Sequence, residues 1–262
     1  MNRLTIVASI VILLAVIVTT GPAGAFMSVD GMRFLDSDGR QVILSGVSVI
    51  EKSKDRGYLG SETAADFAAM KDAGFNCIRL GIIWDGIEPE PGKFNEEFLK
   101  GIDQRIEWAK QNGIYVFLDM HQDLFSVKYS DGAPAWATLD DGKPHLSDSA
   151  VWSDAYFTSE AVKTSFDNFW ANKPAADGVG VQDHYAKAWQ HVAKRYADNP
   201  TVIGYDLMNE PFVGSMAVPA QMLLVSKLGE VLTAKDPAKP ITALDVIARW
   251  GDTAGRSEIL KQ

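Results

Sequence analysis

The sequence predicts an α/β fold of the (β/α)8-barrel class, and three observations support this prediction. Short, fully apolar segments alternate with segments of helical periodicity, which is typical of parallel strands covered by helices on both faces. Gly74 and Gly113 each precede such an apolar segment, so the strand–helix unit repeats along the chain. Polar residues gather directly after the apolar segments, where a (β/α)8 barrel carries its chemistry. The first strand is not followed by a Gly-x-Gly-x-x-Gly motif, which argues against a dinucleotide-binding fold.

The strands and helices are predicted from apolar runs, helical spacing and turn residues. Residues 34–41 contain an Asp-Gly turn and predict a hairpin that leads into the first strand. The predicted strands are 42–50, 75–83, 114–120 and 201–208, with a fifth expected near 240–247. The predicted helices are 63–73, 96–112, 184–197 and 218–234. The stretch between the third strand and the third of these helices is irregular and aromatic, and such long segments in a compact domain are usually functional. We therefore expect a partial barrel with about the first four to five β/α units.

Residues 1–25 have the pattern of a secretory signal peptide. Arg3 supplies the positive charge, residues 4–18 are almost all apolar, and residues 23–25 read Ala-Gly-Ala, the small-x-small form that a signal peptidase cleaves. The apolar run is shorter than the roughly 20 residues that span a bilayer. The alternative is an uncleaved N-terminal anchor. We expect cleavage, a secreted, extracellular domain over 26–262, and no stable membrane span after the signal is removed.

Composition limits the classes of function. The chain has 25 Lys+Arg against 34 Asp+Glu and a pI of about 4.9. An acidic surface repels phosphate backbones, so no nucleic-acid partner is expected. The single cysteine, Cys77, excludes an intrachain disulfide and a multi-cysteine metal site. His184 and His191 share one helix face without a third ligand nearby, so we interpret them as surface or packing residues. We expect neither a metal nor a cofactor.

The strongest catalytic signal is Glu210, which lies in the stretch Tyr-Asp-Leu-Met-Asn-Glu-Pro at 205–211. A carboxylate that directly follows a buried strand, and that Pro211 locks in place, lies at the mouth of the sheet and suits a general acid. Asn209 beside it can donate an amide hydrogen bond to a substrate hydroxyl. A Glu-Pro pair alone would more often cap the following segment, but polar residues at three other strand ends agree with the catalytic interpretation.

Further candidate site residues lie in or directly after other predicted strands and in the aromatic segment. Arg79 is a charged residue inside an apolar strand, and because a buried guanidinium is costly unless it meets a carboxylate, we expect it to point toward an acid. The alternative is a position at the strand edge that reaches solvent. His121 is expected to bind substrate or position a carboxylate, or else to be a satisfied core histidine. Trp84, Trp136 and Trp152 are candidates for sugar-stacking surfaces, with core packing as the alternative for each.

These motifs resemble glycoside hydrolase family 5, the retaining (β/α)8-barrel glycosidases. The matching stretches are Ile-Arg-Leu around Arg79, Asp-Met-His-Gln-Asp at 119–123 and Asn209-Glu210. Within the family, the run 119–126 followed by Gly-Ala-Pro-Ala-Trp-Ala at 132–137 is similar to endoglycoceramidases, which release the whole glycan from glycosphingolipids. The resemblance covers roughly residues 29–215, and it implies a glycosidase barrel with a glycan or glycosphingolipid as its substrate.

The resemblance implies hydrolysis of a β-glycosidic bond by double displacement. Glu210 would act first as acid and then as base, and Asn209 would hold the sugar 2-hydroxyl. Arg79 and His121 would orient the nucleophile and the substrate. The other expected substrate-binding and supporting residues are Lys52, Asp119, Asp123 and Trp136.

The second carboxylate of the family, the nucleophile, has no match in this sequence. Retaining chemistry needs two carboxylates about 5–5.5 Å apart, and in the family the nucleophilic Glu follows the seventh strand. Glu230 falls in a predicted helix, Glu258 in a polar tail, and Asp245 is a poor substitute. We therefore expect the chain as written to be inactive, and its open sheet edges to favour self-association. The alternatives are a non-catalytic glycan-binding remnant and a polysaccharide-cleaving endoglucanase or mannanase of the same family.

Overall fold

The computed structural model describes residues 26–146, 151–250 and 257 of the 262-residue chain. The predicted signal peptide and Glu258 lie outside these residues. The chain divides into two compact units, Met1–Ile43 and Leu44–Gln262.

The first unit contains a small antiparallel sheet. Its strands are β1 (Ser28–Asp30), β2 (Arg33–Leu35) and β3 (Gln41–Val42), paired in that order. The turn between β2 and β3 is closed by Asp36, whose side chain accepts hydrogen bonds from the backbone N–H groups of Asp38 and Arg40, both at 2.9 Å. The hairpin predicted at 34–41 is confirmed.

The second unit is built on a parallel four-stranded sheet. Its strands are β4 (Gly46–Val49), β5 (Cys77–Ile83), β6 (Tyr115–His121) and β7 (Val202–Asp206), hydrogen-bonded in chain order. The single strand predicted at 42–50 is divided between β3 and β4. At the start of β4, Ser45 binds Asn76 by a backbone N–H to side-chain oxygen bond of 2.8 Å, which aligns β4 with β5.

Helices connect and follow these strands. They are α1 (Ala64–Asp72), α2 (Trp84–Ile87), α3 (Glu96–Gln111), α4 (Ala155–Thr158), α5 (Glu160–Trp170), α6 (Val181–Arg195), α7 (Ala217–Lys235) and α8 (Ala243–Trp250). α1 begins with a capping box in which Thr63 and Asp66 exchange hydrogen bonds, and α3 begins where the side chain of Asn95 accepts from the Phe98 N–H. α5 lies in the aromatic segment that the sequence leaves irregular.

The fifth strand expected near 240–247 is wrong, because these residues lead into α8. Thr242 and Asp245 form a reciprocal cap in which the Thr242 N–H and hydroxyl donate to Asp245 at 2.8 and 2.6 Å. The Asp245 N–H returns a bond of 3.2 Å to the Thr242 hydroxyl. This cap starts a helix, and Val246 then packs against Leu232 of α7. Asp245 therefore follows no strand.

The core lies between the sheet and its helices. Its fully buried members include Ile78, Leu80, Ile82, Leu99, Ile102, Ile106, Val116 and Leu118. Cys77 is also buried, and burial raises the pKa of its thiol to about 11, as expected for a core cysteine. In the described part of the chain, no helix combines the length and apolar character needed to cross a membrane.

Candidate active site

Arg79 of β5 reaches two carboxylates at the carboxyl edge of the sheet. Its Nη2 atom lies 2.8 Å from Asp119 Oδ1 of β6 and 2.7 Å from Asp206 Oδ2 of β7, and its Nε donates to the same Asp206 oxygen at 3.0 Å. Asp119 and Asp206 are register partners, so their side chains start level with each other. Only 19% of the Arg79 side chain is exposed. Arg79 therefore meets acids and does not reach away into solvent.

Asn209 is fixed from three directions. Its Oδ1 accepts a bond of 2.9 Å from Arg79 Nη2, and its Nδ2 donates to the Gln122 carbonyl at 3.1 Å. Its backbone N–H donates to the Met120 carbonyl at 3.0 Å. Asn209 is buried, but one amide hydrogen remains for a further acceptor.

Glu210 is exposed directly beside this fixed amide. Its φ angle is 43°, in the left-handed region that residues other than glycine rarely adopt. Pro211 follows it. Such strained residues cluster at functional sites, because the surrounding structure must hold them in place.

Gln122 is the residue that holds the Asn209-Glu210 turn, and this role was not predicted from the sequence. Its Nε2 donates to the carbonyls of Asn209 at 2.8 Å and Glu210 at 3.2 Å. Its Oε1 accepts from the Phe125 N–H at 2.7 Å, and Tyr156 contributes a longer bond of 3.4 Å. The only sequence signal was its position inside the 119–123 stretch. Gln122 therefore links the segments that follow β6 and β7.

His121 closes β6 and binds Asp119. Its Nδ1 donates to Asp119 Oδ2 at 2.8 Å, which leaves Nε2 of a neutral ring as an acceptor. Nε2 is buried without a hydrogen-bond partner and lies 3.9 Å from Asp123 Oδ2. His121 is therefore only half satisfied within the protein, unlike a core histidine with both nitrogens bonded.

Lys52, which follows β4, forms an ion pair with Asp123 beyond the end of β6. The backbone of Asp123 exchanges two hydrogen bonds with that of Asp131, at 3.2 and 3.3 Å. Asp131 is fully buried, and this burial together with the negative charge of Asp123 raises its pKa to about 6. The sequence did not single out Asp131, because its approach to Asp123 depends on the fold of the loop between them.

The three candidate tryptophans differ in how far they are buried. Trp84 is buried in the core and is not available to stack on a sugar. Trp136 is half-buried, contacts the Trp84 ring edge-to-face at 5.8 Å, and donates from Nε1 to the Glu88 carbonyl at 3.2 Å. Trp152 is exposed. Sugar stacking by Trp136 stays a prediction.

The two helix histidines occupy packing and surface positions, as interpreted from the sequence. His184 is buried and lies 2.9 Å from Glu88 and 3.0 Å from Asp177 through its two ring nitrogens. His191 stacks on Phe94 at 4.1 Å and bonds Glu96 at 2.8 Å.

One cluster among the described residues has the donor types of a metal site. Potential ligand atoms of His121, Asp123 and Asp131 lie within 4.8 Å of one another. The ammonium group of Lys52 already neutralises Asp123. The positively charged Lys52 therefore already compensates a negative charge in this cluster.

The arrangement as a whole is a polar site at the joined carboxyl ends of parallel strands, which is the class of site that barrel hydrolases carry. The family model described as Cellulase (glycosyl hydrolase family 5) matches residues 35–225. The chain belongs to glycosyl hydrolase family 5. Its parallel sheet is therefore part of a (β/α)8 barrel, and the predicted partial barrel is confirmed with four strands among the described residues.

Similar proteins include endoglycoceramidases. The chain is 35% identical over 212 residues to the endoglycoceramidase of Cyanea nozakii, and the match covers 70% of this chain and 41% of that protein. It is 32% identical over 241 residues to the endoglycoceramidase of Hydra vulgaris, with 80% and 45% covered. Among solved structures, a ganglioside GM3 complex of endo-glycoceramidase II from Rhodococcus sp. matches with 35% identity and a TM-score of 0.64, covering 76% of this chain and 48% of that one. The chain thus spans less than half the length of these relatives.

Proposed function

We propose that this chain is part of a retaining glycosidase of the endoglycoceramidase type, which hydrolyses the linkage between glycan and ceramide in glycosphingolipids. The observation that carries the proposal is the Asn209-Glu210 turn, held beside Arg79 by Gln122 at the carboxyl ends of β5, β6 and β7. The similarity to proteins described as endoglycoceramidases, one of them in complex with a ganglioside, supports the lipid-linked glycan as substrate.

We propose a role for Glu210, for Asn209 and for the residues around them. Glu210 gives its proton to the glycosidic oxygen while a second carboxylate, the nucleophile of the family, attacks the anomeric carbon and the bond to the leaving group breaks. Glu210 later takes a proton from the water that displaces this carboxylate. Asn209, fixed by Arg79, presents its free amide hydrogen to a sugar hydroxyl. The unpartnered Nε2 of His121 accepts from another hydroxyl. Lys52 and Asp123, with Asp119 and Trp136 in support, complete the proposed sugar contacts.

We further propose that the chain on its own binds glycan without turning it over. A retaining mechanism needs a second carboxylate as nucleophile. The acids at the described strand ends are already paired, since Arg79 contacts Asp119 and Asp206, and Lys52 contacts Asp123. Loss of the nucleophile from a covalent mechanism removes several powers of ten in rate, at about 1.4 kcal/mol of barrier for each factor of ten.

Export is the remaining proposal, and it rests on the pattern of residues 1–25. Expression in a secreting host, followed by N-terminal sequencing of the exported protein, tests it. A mature chain that begins at Phe26 is the expected result. Retention of residues 1–25 on a membrane-bound product would favour the uncleaved anchor.

The experiment for the function uses ganglioside GM3 and a cellulose oligomer with the 262-residue chain. We expect binding of the ganglioside glycan, weaker or absent binding of the cellulose oligomer, and no release of glycan from either. Glu210→Gln and the exposed helix variant Glu97→Gln serve as the matched pair. Glycan release that Glu210→Gln abolishes would keep the site and overturn the proposed inactivity. Release that survives Glu210→Gln would overturn the assignment of Glu210, and preferential binding of the cellulose oligomer would favour a polysaccharide substrate.

A further inference from the structure

Glu88 is a fully buried carboxylate directly after α2. Its Oε2 accepts a hydrogen bond of 2.9 Å from the Trp84 Nε1–H, and its Oε1 accepts one of 2.7 Å from the Gly92 N–H. The same Oε1 lies 2.9 Å from Nδ1 of His184 on α6. A buried carboxylate is costly unless a cation compensates it, and His184 is the basic side chain in contact with it.

The imidazole of His184 lies between two carboxylates. Its Nδ1 faces Glu88, and its Nε2 lies 3.0 Å from Oδ2 of Asp177, which belongs to the loop before α6. A hydrogen bond from the Val179 N–H, and after it the charge of His184, holds the pKa of Asp177 below its usual range. An ionised carboxylate only accepts hydrogen bonds, so both ring nitrogens donate and the ring carries a positive charge. His184 therefore connects α6 to the end of α2 and to this loop.

Trp136 is held by the same group of residues. Its Nε1–H donates to the Glu88 carbonyl at 3.2 Å. Its ring centroid lies 4.7 Å from that of His184, which is within the roughly 6 Å over which a cation attracts an aromatic ring. The Trp84 ring meets it edge-to-face at 5.8 Å. Trp136 is half-buried, so these contacts fix one part of the indole and leave another part accessible.

We propose that His184 is a positioning residue that holds Trp136 as a stacking surface for the glycan. Trp136 follows Asp131 by five residues, and the backbone of Asp131 is bonded to that of Asp123 in the proposed sugar site. The apolar face of a sugar ring packs on an indole because both then lose contact with water. This inference rests on the proposed function, because Trp136 is assigned there to a sugar.

The hold of His184 on Trp136 can be tested without a glycan. Nitrogen-15 NMR of the full chain at pH 7 should show a proton on both ring nitrogens of His184. The Trp136 indole N–H signal, assigned from its loss in Trp136→Phe, should shift and exchange faster in His184→Gln. His191→Gln changes the surface histidine of the same helix and should leave this signal unchanged. A His184 ring with one unprotonated nitrogen, or an indole signal that does not respond to His184→Gln, would overturn the proposal.

A double-mutant cycle on lactose affinity tests whether His184 acts through Trp136. By calorimetry, Trp136→Leu should weaken binding about tenfold and His184→Gln about three- to tenfold, because a displaced indole stacks less well on the sugar. The variant with both changes should bind as Trp136→Leu does, since the second change has nothing left to position. Losses that multiply in this variant would show that His184 acts independently of Trp136, and the proposal would fail.

Two further outcomes are decisive. If the wild type does not bind lactose, while the indole signal responds to His184→Gln and not to His191→Gln, the proposed function fails and the hold of His184 on Trp136 stands. If His184→Gln does not unfold cooperatively, Asp177→Asn takes its place, because Asp177 is partly exposed and the new amide can still accept from Val179. Asp177→Asn should then shift the indole signal and weaken lactose binding about two- to threefold, since it removes one charge beside the ring. An unchanged signal and affinity in Asp177→Asn would contradict the proposal.

Discussion

At the scale of single residues, the site depends on charges that are paired before any ligand arrives. Arg79 compensates Asp119 and Asp206 and also fixes Asn209, so one guanidinium organises three strand ends. That Arg79 would meet an acid was predictable, because a guanidinium inside an apolar strand needs a partner. Which acids Arg79 would contact was not predictable, because this depends on the register between β6 and β7.

Replacement of Arg79 tests this compensation. Arg79→Met leaves two carboxylates without their cation, so the free energy of unfolding should fall by about 3–5 kcal/mol. Urea unfolding at pH 7 measures the loss. The control Lys100→Met removes an exposed cation on α3 and should stay within about 0.5 kcal/mol of the wild type. Equal losses in the two variants would contradict the role of Arg79.

Asp131 should make the stability depend on pH with a definite sign. Its pKa rises from an ordinary value of 3.8 to about 6 on folding, so the folded state disfavours the charged form. The resulting penalty is absent below the unfolded pKa, grows between pH 4 and 6, and is complete above pH 6. Asp131→Asn should therefore raise the free energy of unfolding by about 1–3 kcal/mol at pH 7, with little gain at pH 4. Urea unfolding across this range checks it, with Asp141→Asn as control, and a gain of equal size at both pH values would contradict the account.

At the scale of elements, the strands were easier to predict than the loops between them. The runs that form β5, β6 and β7 are apolar along most of their length, and this signal is local. The segment that forms helix α8 was predicted as a strand, because a short apolar segment fits the periodicity of a helix and that of a strand equally well. The cap formed by Thr242 and Asp245 decides in favour of the helix. Gln122 acts through contacts to residues that are distant along the chain, and Asp131 approaches Asp123 through the fold of the loop between them. Spacing in the sequence shows neither.

Gln122 should stabilise the segment after β7 more than its own loop. Gln122→Ala removes both donors to the Asn209-Glu210 carbonyls, and loss of buried hydrogen bonds of this kind costs about 1–3 kcal/mol. We expect faster hydrogen exchange at the Asn209 amide and weaker lactose binding. The control Gln111→Ala removes an exposed glutamine of α3. Unchanged exchange at the Asn209 amide in Gln122→Ala would show that the Asn209-Glu210 turn keeps its conformation without the Gln122 side chain.

At the scale of the whole molecule, the described part of the sheet has two unpaired edges. β4 and β7 each bond to one strand only among these residues. Beside β7, a groove is lined by apolar side chains that include Trp189, Tyr205 and Leu207, and Leu207 is 67% exposed. Open edges and exposed apolar patches favour association.

Self-association of the chain should therefore occur through the β7 side. Sedimentation velocity at micromolar concentration is expected to show species larger than a monomer. Leu207→Ser should shift the distribution toward monomer, and it leaves in place the Leu207 carbonyl that accepts from Tyr185 and Trp189. Leu244→Ser, at another exposed leucine, is the control. A monomeric wild type with one cooperative unfolding transition would contradict this prediction.

The proposed site is tested most directly by mapping where a sugar binds. Amide chemical-shift changes on titration with lactose report each contact without any need for turnover. We expect the largest changes at His121, Asn209 and Glu210, with Lys52 and Asp123 following. Changes confined to the outer helices α3 and α6, or saturation that leaves the 209–210 amides unmoved, would contradict it.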